Sequence, residues 1–234
     1  MLKTWIPEEI PEKEELKKRI KEAGEKLYQQ QMKLKEHKLP VLVLFEGWGA
    51  AGKGSTIGKI IRNIDPRFFK VATMSAPTEE ELRRPFLYRY FIQIPEAGKF
   101  TFLDGGWMEE ITKGVLDGSL SEKEYSMRIE SVKRFERQLT DNGYLVLKFF
   151  FHISEKEQKK RLDALMEDKD TSWRVSEHDR WQNKHYEKCE GVFDRYLNDT
   201  NVPAAPWYLI DAQSRKWAQL QVREMMCQGI DVAL

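Results

Sequence analysis

Apolar positions follow two different spacings along the 234-residue chain, and the two alternate from start to end. Residues 12–37 place Leu16, Ile20, Ala23, Leu27, Gln31 and Leu34 at three- and four-residue steps among lysines and glutamates. That period predicts an amphipathic helix ending before Pro40. VLVLF at 41–45 is a continuous apolar run, the pattern of a parallel strand covered on both faces. Beyond a glycine-rich bend, 53–64 reads as a helix stopped by DPR at 65–67. FKVATM (69–74), KFTFLD (99–104), YLVLKFFFHI (144–153) and WYLID (207–211) read as further strands. Between them, 78–94 reads as helical, with Thr78 as its N-cap and Pro85 as a kink or boundary. Helices are also predicted over about 107–116 and 121–141, the second opened by the Ser121/Glu124 capping box. A charged helical pair flanks KDTSWRV, and a last helix follows the fifth strand. Strands alternating with helices predict an α/β chain with a doubly wound parallel sheet of about five strands. One domain is expected at 39–234, preceded by the helical segment 1–38 and carrying a helical insertion at about 154–200.

Composition narrows the function classes. Hydrophobic residues make up 41% and charged residues 33%, the balance of a globular protein. No apolar run approaches the ~20 residues that cross a bilayer, so no membrane partner is expected. Residues 1–19 are rich in acids and lack an apolar stretch, so neither a secretory signal nor a transit peptide is read there, and the expected compartment is cytoplasmic. Lys and Arg total 39 against 38 Asp and Glu, a net charge of +1. Bulk charge therefore gives no reason to expect a nucleic-acid polymer, and any attraction for phosphate has to be local. Cys189, Cys227 and the four histidines form no metal-ligand spacing or disulfide framework. His37, His152, His178 and His185 are expected at the surface or in the helical pair, and Trp173 and Trp207 in the core. Nothing in the sequence supports Trp48 as a stacking platform for a base.

The chemistry concentrates in FEGWGAAGKGST, 45–56. Gly47, Gly52 and Lys53 satisfy the phosphate-loop spacing G-x-x-x-x-G-K between a buried strand and a helix, and so predict a P-loop kinase-like fold. Glycines let the backbone curl until several N–H groups face one anion. The helix start adds partial positive charge and the lysine a mobile full charge. The expected cradle is Gly47, Gly49, Ala50, Ala51, Gly52, Lys53, Gly54 and Ser55. The hydroxyl that usually follows the lysine is displaced: Gly54 intervenes, and Ser55 and Thr56 are the candidate metal ligands. Asp104, ending an apolar strand, reads equally as a second metal-holding acid or as a helix cap.

With these pieces assembled, the chain resembles the polyphosphate kinase 2 family from about Leu39 to Gln228. The resemblance rests on FEGWGAAGKG (45–54), SAPTEEELRRPFLYRYFIQIPEAG (75–98), FLDGGW (102–107), FHISEKEQKKRL (151–162), SWRVSEHD (172–179) and APWYLID (205–211). It implies reversible phosphoryl transfer between polyphosphate and AMP or ADP, assisted by Mg2+. Lys53 would steer the phosphate, Asp104 and Ser55 would engage the metal, and Arg84 and Arg89 would supply further cations. Arg84 and Arg89 also read as surface partners of Glu79, Glu80 and Glu81. The resemblance makes 154–200 a lid over the phosphates, although 155–174 carries six basic and six acidic residues and is no basic patch.

Two departures matter. Active members of the family carry an aspartate where this chain has Gly49, and an arginine after the strand-end aspartate where it has Gly105. The combination resembles the amino-terminal half of tandem two-domain members, and it leaves room for a second domain of the same kind or for a homo-oligomer. It implies a catalytically impaired phosphotransferase domain. The alternative is a non-catalytic polyphosphate- or nucleotide-binding module supporting a catalytic partner.

Overall fold

A computed structural model describes all 234 residues. Five parallel strands form one sheet: β1 (Val41–Gly47), β2 (Phe69–Thr73), β3 (Phe100–Asp104), β4 (Leu145–His152) and β5 (Trp207–Asp211). Their order is β2-β3-β1-β4-β5, which puts β1 at the centre between β3 and β4. This is the P-loop kinase-like, doubly wound α/β arrangement that the strand–helix alternation predicts. VLVLF and LVLKFFFH lack polar alternation because helices cover both faces of these strands.

One face is covered by α1 (Lys13–Glu36), α2 (Lys53–Ile60) and α10 (Arg215–Ala233). The other carries α5 (Trp107–Asp117), α6 (Glu122–Asp141) and α9 (Tyr186–Thr200). The Ser121/Glu124 capping box opens α6 as its sequence predicts. Lys148 in β4 is fully buried, and its ammonium donates to Glu136 of α6 at 2.7 Å and to the Thr200 carbonyl at 2.9 Å.

Three helical stretches are shorter than their periodicity predicts. The 53–64 stretch is α-helical only to Ile60 and tightens into a 3-10 turn at Ile61–Asn63. The 78–94 stretch splits into α3 (Glu79–Leu82), capped by Thr78, and α4 (Tyr88–Phe91). Pro85 between them supplies no N–H to continue a helix. The region after β4 divides into α7 (Glu155–Glu167), α8 (Glu177–Lys184) and α9, with His185 out of helical geometry at φ −122°, ψ 36°. Within 154–200, α7 and α8 lie over the phosphate loop, whereas α9 buries Cys189, Phe193, Tyr196 and Leu197 in the core.

Side-chain placement follows the sequence reading at Trp207 and departs from it at Trp173. The first is buried; the second is 76% exposed on the turn between α7 and α8, where no second layer exists to cover it. His152 is also not a surface residue: it ends β4, half-buried, and accepts a 3.1 Å hydrogen bond from the Trp48 indole.

Candidate phosphate-transfer site

The carboxyl end of β1 turns into α2 through a bend that only particular residues can make. Gly47, Ala50 and Gly52 have φ of +118°, +59° and +98°. At Gly47 a Cβ would overlap the Phe151 backbone of β4, so both the dihedral and the packing require glycine. Ala50 tolerates its left-handed conformation at a cost of about 1–2 kcal/mol. The bend returns Lys53 to its own start: the ammonium donates to the carbonyls of Gly47 (3.0 Å) and Trp48 (3.1 Å). Trp48 is fully buried and stacks on Tyr186 at 4.0 Å, so it anchors the loop and is closed to a base.

Register places the acids. Phe45 of β1 pairs with Asp104 of β3, which brings Asp104 beside the first turn of α2. A Cβ on Gly54 would lie 2.9 Å from an Asp104 carboxylate oxygen. This accounts for the glycine that interrupts the usual lysine–hydroxyl pair: its missing side chain is the space Asp104 uses. Asp104 does not cap α5, whose N-cap is Gly106. Burial raises the Asp104 pKa and the nearby Lys53 charge opposes the rise.

Glu46, one residue before the loop, is buried and accepts from the Met108 amide at 3.1 Å. Burial, reinforced by the Glu109 charge, pushes its carboxyl up to about 8 against the pull of Lys53 and the amides. Gly105 has φ +82°, and a Cβ there would come 3.2 Å from a Glu109 carboxylate oxygen. A Cβ on Gly106 would stand 2.9 Å from Glu46 and overlap Leu44. No group of three or more His, Cys, Asp or Glu side chains is arranged to hold a metal ion.

The helices over the loop fasten it with polar side chains. Gln182 of α8 accepts from the Gly49 N–H at 3.1 Å, and Gln158 of α7 donates to the Gly49 carbonyl at 3.2 Å. Asn183 donates to Gln158 at 3.1 Å. Arg161 is buried, and its guanidinium bridges the Ala50 and Ala51 carbonyls (3.3 and 3.0 Å) to those of Ala212 and Gln213 after β5 (2.7 and 3.0 Å). Asp179 of α8 occupies the space that a side chain at position 49 would need. Its other oxygen completes the capping box with Ser176.

Beside the loop, across the ends of β2 and β3, opens a cleft of about 380 Å³ lined by Arg89, Tyr90, Glu109, Glu110, Lys113 and Arg128 among others. Arg89 is buried, donates to the Ser75 carbonyl and stands 3.7 Å from Glu81. Arg84 lies on the surface, paired with Glu80 at 3.0 Å and resting over the Tyr88 ring. Lys53, Asp104, Gly47, Gly49, Ala50, Ala51, Gly52 and Gly54 thus meet in one place, with Arg89 lining the adjacent cleft. Ser55 is exposed on the first turn of α2, and Arg84 stands outside the cleft. Sequence reasoning missed Glu46, Glu109, Gln158, Asp179 and Gln182 as parts of the site, and took Arg161 only as one of the insertion's charges. All sit in or beside stretches that resemble the family, but nothing in their spacing aims them at the loop.

Known proteins share this fold. A solved structure described as polyphosphate kinase 2 from Arthrobacter aurescens TC1 superposes with a TM-score of 0.93 over 99% of this chain and 85% of that one, at 24% identity, and so shares the fold. A polyphosphate:AMP phosphotransferase of Pseudomonas aeruginosa is 33% identical over 224 residues, covering 95% of this chain and 45% of that protein. Its namesake in Pseudomonas syringae pv. tomato is 34% identical over 211 residues, covering 90% and 42%. The chain therefore spans less than half the length of these two relatives. The family profile "Polyphosphate kinase 2 (PPK2)" matches residues 11–234, nearly the whole chain, and with the relatives it shows that this protein belongs to the polyphosphate kinase 2 family.

Proposed function

We propose that this chain is a polyphosphate-dependent nucleotide phosphotransferase domain, moving a phosphoryl group reversibly between polyphosphate and AMP or ADP. The observation that carries the reading is the left-handed bend that returns Lys53 to the mouth of the loop beside Asp104. In the forward direction a phosphate oxygen of the nucleotide attacks the terminal phosphorus of polyphosphate. The anhydride bond behind that phosphorus breaks, and the shortened chain leaves with the bonding electrons. Such a transfer needs positioning and charge more than covalent help.

Lys53 exchanges its two carbonyl partners for phosphoryl oxygens, and the loop amides hold the remainder of the terminal group. Glu46, kept neutral by burial, adds no repulsion beneath the phosphates. The neighbouring cleft carries Arg89, Lys113 and Arg128 beside Glu109, Glu110 and Asp117, and its cations would meet the nucleotide phosphate. Magnesium is commonly held by one or two carboxylates together with substrate phosphates. Asp104 fits that use: it is a hard oxygen donor without a hydrogen-bonding partner, beside Lys53, with Ser55 on the adjoining turn. When bound, the ion would neutralise charge developing on the transferred group.

The test is turnover by the 234-residue chain with polyphosphate, magnesium and AMP or ADP, beside Lys53→Ala. A loss of about 10²- to 10³-fold in the variant is expected, and equal rates would overturn the reading. A second reading, a non-catalytic polyphosphate-binding module supporting a catalytic domain, is favoured by the missing carboxylate at Gly49 and the left-handed Gly105. Its signature is Lys53-dependent polyphosphate binding with no turnover.

A further inference from the structure

The molecule carries a concentration of positive charge away from the strand ends. A cleft of about 420 Å³ between α1, α2 and α10 is lined by Lys17, Lys59, Arg62, Lys216 and Arg223, with no acid among its eight lining residues. In a chain with 38 acids against 39 bases this is a local excess of five charges. Lys17 is paired with Glu14, but Lys59, Arg62, Lys216 and Arg223 make no salt bridge.

Arg223 is 3% exposed and has no carboxylate partner. Its guanidinium staples the helices together through the Lys59 carbonyl (2.7 Å), Asn63 (2.9 Å) and the Ile20 carbonyl (3.4 Å), while its buried Nε–H has no acceptor. A buried, uncompensated cation is costly unless an anion approaches it.

Two elements run between the cleft and the phosphate loop. Lys59 lies on the same helix as Lys53, six residues on, which is about 9 Å along the axis. At the first turn of α10, Lys216 lines the basic cleft, and its chain neighbour Arg215 lines a smaller one with Lys160, Arg161 and Glu157, the last paired with Arg161 at 2.7 Å. Arg161 in turn holds the Ala50 and Ala51 carbonyls. Ile20 is the only apolar lining residue and there is no aromatic ring, so the cleft offers phosphate contacts but no surface on which a base could stack.

We propose that this cleft is a second anchoring site for the inorganic polyphosphate chain, holding distal phosphates while the terminal group occupies the loop. The proposal rests on the loop reading given above. Long chains bind both sites, whereas tripolyphosphate binds only at the loop.

The experiment compares wild type with the triple variant Lys59→Gln/Arg62→Gln/Lys216→Gln, all exposed positions, in equilibrium binding of long-chain polyphosphate and of tripolyphosphate over a salt series. Long-chain affinity should fall about tenfold or more, and the slope of log affinity against log salt should become shallower by about two. Tripolyphosphate affinity should stay within about twofold. Each single variant, should the triple variant fold poorly, is expected to lose about two- to threefold for the long chain. Unchanged long-chain affinity and slope in these variants would overturn the proposal, as would single-stranded RNA binding the cleft more tightly than polyphosphate. Lys53→Ala keeps the two readings apart. If it fails to weaken tripolyphosphate binding, the loop reading falls, whereas the cleft is judged on the glutamine variants.

Discussion

Glu46→Gln probes the electrostatics at the foot of the loop. Glu46 is buried beneath the bend, and burial with the Glu109 charge raises its carboxyl from 4.5 to about 8. Between those values the native protein holds a proton that the unfolded chain has released. The stabilisation is therefore complete below about pH 4.5 and is lost as pH climbs toward 8. Over that window wild type should lose up to about 1.4 kcal/mol per pH unit from this group, at most about 5 kcal/mol in all. The glutamine variant keeps the acceptor for the Met108 amide and has nothing to titrate, so its stability should not follow that slope.

Urea unfolding of both proteins across the window measures the difference directly. The variant's advantage should grow steadily with pH, and Glu109→Gln in the wild-type background should move the onset of Glu46 ionisation lower. Parallel stability curves would show that Glu46 is ionised in the native state. The argument that Glu46 adds no repulsion beneath the phosphates would then fail.

Gly54→Ala, in the first turn of α2, puts a methyl 2.9 Å from an Asp104 carboxylate oxygen, so Asp104 has to shift: unfolding stability should fall by about 1 kcal/mol and turnover tenfold or more. Intact turnover would separate Asp104 from the chemistry. Gly49→Asp with Gly105→Arg should cost about 2–4 kcal/mol in denaturant unfolding. One side chain overlaps Asp179 and the other is forced to φ +82°. Asp179→Ser should return part of that loss. Lys148→Met should cost about 3–5 kcal/mol by stranding Glu136, whereas Lys148→Met/Glu136→Leu should return to within about 1 kcal/mol of wild type.

The sheet was legible because its central strands, β1 and β4, are long apolar runs and its loops carry strong local chemistry. Thr78, Ser121 and Gly52 act through neighbours within three residues, and such signals survive in a bare sequence. The bend was legible for the same reason. Its fastening was not: Gln158 and Gln182 reach Gly49 across 109 and 133 residues, and a glutamine on a charged amphipathic helix looks the same whether it meets solvent or a loop. Glu46 was hidden differently, because one acid at the end of an apolar strand gives no hint that closure of α5 will bury it. Trp173 shows the converse limit: aromaticity predicts burial only where the fold supplies a second layer.

On the proposed reading, the groups that hold the loop at rest are the ones phosphate would displace. The Gly49 N–H is occupied by Gln182, and the Lys53 ammonium by two carbonyls. A neutral side-chain hydrogen bond is worth about 0.5–1.5 kcal/mol net, and an amide bonded to an anionic oxygen about twice that. Exchange of Gln182 for phosphate is thus favourable, while exchange for water gains nothing, so the loop stays fastened until an anion arrives. Gln182→Ala removes the competitor and leaves the amide in place. Tripolyphosphate affinity measured calorimetrically should then tighten by about two- to tenfold, the worth of one such bond. Weaker binding in the variant would mean that Gln182 supports the bound state, and the loop would have to be read as preformed with its helices already closed over the phosphates.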